Sequence, residues 1–89
     1  MTEYGIEVRV TPRRGILDPQ GKAVGGALST LGFSGVGEVH VGRLIVFSLQ
    51  AASEAEARER ADAMCRQLLA NPVTEDYAVT VGAPAGSAP

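Results

Sequence analysis

From Glu3 to Thr11 apolar and polar residues alternate, with Tyr4, Ile6, Val8 and Val10 on one side and Glu3, Glu7, Arg9 and Thr11 on the other. This period of two predicts a half-buried strand. Pro12 has no amide to donate and ends the ladder, and Arg13-Arg14-Gly15 makes a short basic loop of the kind that is usually solvated. The period then changes to that of a helix. Ala23, Val24, Ala27, Leu28 and Leu31 recur at helical spacing. They follow Asp18, a good N-cap, and Pro19, which suits the first helical position. Gly32 can take the left-handed conformation that stops the helix. Gly21, Gly25 and Gly26 each weaken a helix by about 1 kcal/mol relative to alanine, so packing has to override propensity. A helix with so little side chain lets another backbone come close, and a tightly packed, contact-making helix is expected.

Phe33-Ser34-Gly35-Val36-Gly37 reads as a connection, after which Glu38-Val39-His40-Val41 alternates again and predicts a second strand starting near Val36. Gly42-Arg43 reads as a tight turn or bulge. Leu44-Ile45-Val46-Phe47-Ser48-Leu49 is apolar at successive positions, so both faces of that strand should be covered. Helices cover one face, and the other is expected to meet a second subunit or partner. Ser53 and Glu56 form a capping box ahead of a helix whose buried stripe is Ala57, Ala61, Met64, Cys65, Leu68 and Leu69. Glu54 with Arg58, Glu56 with Arg60 and Asp62 with Arg66 are acid-first pairs four apart on its solvated face. Asn71-Pro72 closes it, and Val73 to Val81 supplies a last strand.

The order strand, helix, strand, strand, helix, strand predicts an α+β two-layer sandwich, β-α-β-β-α-β. Its sheet is mainly antiparallel with both helices on one face, and is extended or packed across a dimer. Residues 1–81 form the single domain. Residues 82–89, all Gly, Ala, Pro and Ser, read as a disordered tail. At 89 residues with few aromatics, the core must be built from Val, Leu, Ile and Ala and is thin, which favours oligomerisation. A net charge of −2 argues against a nucleic acid or an anionic membrane as partner. The polar start and the lack of a long apolar run point to a cytoplasmic protein.

Catalytic signatures are sparse. Cys65, the single cysteine, sits in the helical stripe and reads as a small buried hydrophobe, and His40, the single histidine, has no ligand or catalytic partner at defensible spacing. The glycines from Gly32 to Gly37 lack the context of a phosphate loop. Composition and spacing alone stop at a small soluble α+β interaction module.

Two separated motifs go further. Leu17-Asp18-Pro19-Gln20-Gly21 at the first helix, with Val39 and Gly42, is the first. The second is Cys65-x-x-Leu68-Leu69-Ala70-Asn71-Pro72-Val73-x-Glu75-Asp76-Tyr77. Together they resemble the PurS family, the small subunit of phosphoribosylformylglycinamidine synthase. The resemblance implies a subunit without catalytic residues, present as a dimer. It would bridge a glutaminase subunit and a large synthetase subunit in purine biosynthesis and help guard ammonia in transit. No cofactor is implied for this subunit; ATP and magnesium belong to the synthetase subunit. By position, Asp18, Pro19, Gln20 and Gly21, with Asn71, Glu75, Asp76 and Tyr77, are the candidates for subunit contact, and as part of such a subunit motif Gly21, Gly25 and Gly26 are expected to leave room for a neighbouring chain. Each has a local alternative: Asp18 can cap, Tyr77 can pack, and Asn71 can end a helix. A metabolite-binding regulatory module of ferredoxin-like type and a stand-alone structural oligomer are the rival functions.

Overall fold

The first strand, β1 (Thr2–Pro12), is the centre of the sheet, and both of its edges are hydrogen-bonded. The computed structural model describes residues 1–82, so the expected tail lies, apart from Gly82, outside the described residues. β2 (Arg43–Ala51) runs antiparallel along one edge, from Thr2 opposite Ala51 to Val10 opposite Arg43. β3 (Glu75–Val81) runs antiparallel along the other, from Ile6 opposite Val81 to Pro12 opposite Glu75. Residues directly opposed across a sheet share a face. Tyr4, Ile6, Val8 and Val10 therefore line up with Leu49, Phe47 and Ile45 on one side and with Val81, Val79 and Tyr77 on the other.

A single helix, α2 (Glu54–Met64), covers this apolar face and packs on all three strands through Ala57 and Ala61. Ile6, Val8, Val10 and Cys65 are fully buried. Each of the three aliphatic side chains adds about 1.5–3 kcal/mol of burial, which makes β1 the energetic spine. The Ser53 hydroxyl caps α2 by accepting from the Glu56 amide at 3.1 Å, and the Glu56 carboxylate reaches back to the Ala52 amide.

Three sequence expectations are corrected. The strand expected from Val36 to Val41 is absent: residues 33–42 are irregular, and among the described residues the sheet has three strands. The first helix, α1 (Pro19–Thr30), does not lie on the sheet beside α2. It projects from one end, and the chain measures 51 × 30 × 15 Å with a radius of gyration of 16.4 Å. A compact domain of this length would have roughly 12 Å. Within the chain β2 is covered on one face, where Ile45, Phe47 and Leu49 turn to α2, and Leu44 and Val46 on the other face, the one expected to meet a second subunit or partner, are 54% and 65% exposed. Finally, Leu68 is exposed because α2 runs on as a π-helical turn, Cys65–Leu69, in which the Ala70 amide donates to the Cys65 carbonyl at 3.0 Å. The wider turn rotates Leu68 off the stripe while Leu69 stays half-buried.

The charged face of α2 also differs from the expectation. Asp62 and Arg66 pair as expected. Arg58 instead donates to the Val79 carbonyl at 3.0 Å and Arg60 to the Gln50 carbonyl at 2.7 Å. Both carbonyls lie on the outer edges of the sheet, where β1 does not reach them, so the two arginines blunt edges that could otherwise pair indiscriminately.

Gly42 enters β2 against β1 so closely that a Cβ there would sit 2.2 Å from the Val10 carbonyl oxygen. Gly42→Ala should therefore destabilise the chain by roughly 1–3 kcal/mol, read from urea unfolding. An unchanged midpoint would mean that the β1–β2 approach is looser than described.

Candidate functional site

The sequence candidates fall into two groups at the end of the sheet where α1 begins and β3 starts. In the first, Asp18 caps α1 and also ties it to a distant segment. Its Oδ1 accepts from the Gly21 amide at 3.0 Å, and its Oδ2 accepts from the Val41 amide at 2.9 Å. The side chain is only 9% exposed. The two amide bonds, chiefly that from Gly21, hold its carboxyl below the usual carboxylate range, with nearby His40 acting in the same direction. Pro19 occupies the first turn, and it and Gln20 are exposed.

Gly21 is needed for close approach. A Cβ there would lie 2.0 Å from the Val39 carbonyl oxygen, and Gly25 faces the Val39 side chain. These two glycines admit the chain's own 36–41 segment, which corrects the expectation that they admit a neighbouring chain; Gly26 faces open space. The same geometry explains the missing strand, because Val41 gives its amide to Asp18 and Val39 lies along α1. A groove of about 290 Å³ separates helix and segment, lined by Leu17, Lys22, Glu38 and His40 among others. The His40 ring nitrogens lie 3.5 Å from Asp18 Oδ2 and 3.1 Å from Glu38 Oε1, both off the angle of a hydrogen bond.

The second group is built on two arginines, Arg13 from the basic loop after β1 and Arg43 from the turn that opens β2. Arg43 grips Glu75 with two nitrogens, at 2.8 and 3.1 Å, and donates to the Leu69 carbonyl. Glu75 also accepts from the Asn71 amide at 2.8 Å. The Arg43 bonds first, then the Asn71 amide, hold the Glu75 carboxyl below its ordinary range. Arg13 donates to Asp76 at 3.1 Å and to the Pro72 carbonyl at 2.8 Å. The Asn71 side chain accepts from the Val73 amide and turns the chain from helix to strand. The Tyr77 hydroxyl donates to Asp62 of α2 at 2.5 Å. No spacing rule announces these arginines, because each partner is fixed by the register across β1. The groups adjoin through the chain itself, since Val41 bonds Asp18 and Arg43 bonds Glu75.

The eight candidates thus divide by role. Asp18, Gly21, Glu75 and Tyr77 are at least half-buried and engaged within the chain, whereas Pro19, Gln20, Asn71 and Asp76 are exposed, Asn71 and Asp76 also being bonded to Val73 and Arg13. Cys65 is fully buried, which pushes its thiol up and away from reactivity. Among the described residues no group of three His, Cys, Asp or Glu is arranged to hold a metal ion. The polar geometry present here joins segments of one chain and holds exposed side chains at one end of the sheet.

An α+β protein whose polar bonds serve its own architecture, with an apolar helix projecting from the sheet, belongs with subunits of larger assemblies. Comparison with known proteins makes this specific. The PurS family model, described as phosphoribosylformylglycinamidine (FGAM) synthase, matches residues 5–83, and the chain belongs to that family. It is 43% identical over 84 residues to the phosphoribosylformylglycinamidine synthase subunit PurS of Synechocystis, covering 94% of this chain and 84% of that one. The crystal structure of Methanocaldococcus jannaschii PurS is 36% identical with a TM-score of 0.76, over 88% of this chain and 94% of that chain. A chain in the structure of PurLQS from Thermotoga maritima is 27% identical with a TM-score of 0.82, over 91% and 99% respectively.

Because Asp18 and Glu75 are held below their ordinary values, their ionised forms add stability that is complete above the ordinary carboxylate range. It is lost as pH falls through the lower folded values. The thermal midpoint should hold near neutrality and decline below about pH 4. Asp18→Ala should also remove hydrogen-exchange protection from the Val41 amide while leaving that of Val8 intact; retained protection at Val41 would contradict the capping bridge.

Proposed function

We propose that this chain is the small subunit of phosphoribosylformylglycinamidine synthase in purine biosynthesis, a bridge that lets a glutaminase subunit and a large ATP-dependent synthetase subunit associate. The observation that supports the reading most strongly is the match of nearly the whole chain to PurS proteins, including the one in the PurLQS structure. In this scheme the glutaminase subunit releases ammonia from glutamine. The synthetase subunit, with ATP and magnesium, uses that ammonia to replace an amide oxygen of a formylglycinamide ribonucleotide and form the amidine. Ammonia protonated in bulk water is no longer a nucleophile, so holding the two active centres together serves the chemistry as well as the architecture. The small subunit acts in the cytoplasm, as a homodimer.

Within the proposal, Asp18, Gly21, Glu75 and Tyr77 position the contact surface, and Pro19, Gln20, Asn71 and Asp76 form part of it. Glutamine-dependent turnover of the other two subunits should rise on adding this chain, while turnover on free ammonia should change little. Equal glutamine-dependent turnover without it would refute the bridge. Replacing Gln20 and Asp76 together by alanine should weaken assembly by about tenfold or more with little change in thermal stability. A loss of stability without an assembly defect would return these residues to the fold.

A further inference from the structure

His40 is set into the groove between the start of α1 and the 36–41 segment. Its side chain is 23% exposed, yet both ring nitrogens are shut off from solvent and neither makes a hydrogen bond. Each nitrogen instead faces a carboxylate: Nδ1 lies 3.5 Å from Asp18 Oδ2, and Nε2 lies 3.1 Å from Glu38 Oε1. A neutral imidazole carries one N–H and one lone pair, so in this place a lone pair must point at a carboxylate oxygen. The imidazolium has an N–H on each nitrogen and meets both oxygens with the sign they require. Among the described residues, the remaining charged group lining the groove is Lys22, near the start of α1. Two carboxylates and one ammonium leave one negative charge over, which the imidazolium cancels.

We propose that His40 is a proton-operated latch, a positioning residue that ties the 36–41 segment to the cap of α1 when it is charged and lets the projecting helix loosen when it is neutral. The latch acts on the Asp18 bridge, because the Oδ2 that His40 faces is the oxygen that accepts from the Val41 amide. Through that bridge it sets the direction of α1, and with it the exposed Pro19 and Gln20. Its pH dependence runs opposite to that of the carboxylates. Opening the groove parts the imidazolium from both carboxylates, so the closed arrangement holds the proton in preference, and its advantage is lost as pH rises. The latch therefore opens through the range in which imidazoles titrate, about pH 5–8, whereas the carboxylates fail only below about pH 4.

Hydrogen exchange on the full-length chain, with rates corrected for the intrinsic effect of pH, tests this at the Val41 amide. Its protection should fall by about threefold to tenfold between about pH 6 and pH 8, while that of Val8 in the core strand holds steady. His40→Arg keeps a charge at every pH and should retain the protection at the upper end. His40→Gln never carries one and should show low protection throughout. A parent chain whose Val41 protection is indifferent to pH would overturn the proposal, as would the same pH dependence in His40→Gln. The ring nitrogen NMR shifts of the parent chain need no substitution: an imidazolium at about pH 6 supports the latch, and a neutral tautomer there overturns it. None of these readings depends on assembly with other subunits.

Discussion

The carboxylate of Asp18 decides the shape of this protein. With one oxygen on the Gly21 amide and the other on the Val41 amide, it joins the start of α1 to a segment more than twenty residues later. That segment is thereby held against the helix, through a contact at Val39 that only glycine at position 21 permits, and does not pair with β2. The sheet stops at three strands, and α1 stands off its end with the returning segment as its support. Arg43, two residues beyond Val41, then anchors the same stretch to Glu75 and so to the start of β3. A cap that in most helices satisfies one orphan amide here also closes a long loop and sets the direction of an arm.

The chain as a whole divides its labour between a sheet with a buried core of its own and an arm without one. The sheet has Ile6, Val8 and Val10 buried beneath Ala57, Ala61 and Cys65, and arginines on its outer carbonyls. The arm has apolar side chains in water and a helix weakened by glycine, so its stability depends on what it touches. Such a construction suits a subunit of an assembly, where surface that is costly to expose in isolation becomes interface.

Much of this was legible in the residues. β1 and β3 follow their alternation, Ser53 and Glu56 start α2 where the capping pattern places them, and Gly32 takes the left-handed conformation at the end of α1, with φ of +92°. The family was legible too, from two separated motifs, one at the start of α1 and one from the end of the second helix into β3. What could not be read was long-range competition for a single group. The alternation of Glu38 to Val41 is a true strand pattern, but the amide of Val41 had a stronger acceptor in Asp18. Arg58 and Arg60 stand four residues after glutamates, yet found the unpaired carbonyls of Val79 and Gln50. Arg13 and Arg43 gained partners fixed by strand register, which local sequence does not carry.

The central claim is that this chain works by holding two catalytic subunits together, and its most direct test is sedimentation of the glutaminase and synthetase subunits with and without it. The account predicts separate boundaries for the two catalytic subunits alone and a single faster boundary containing all three when the chain is added. A stable complex of the two catalytic subunits in its absence, unchanged on adding it, would contradict the account.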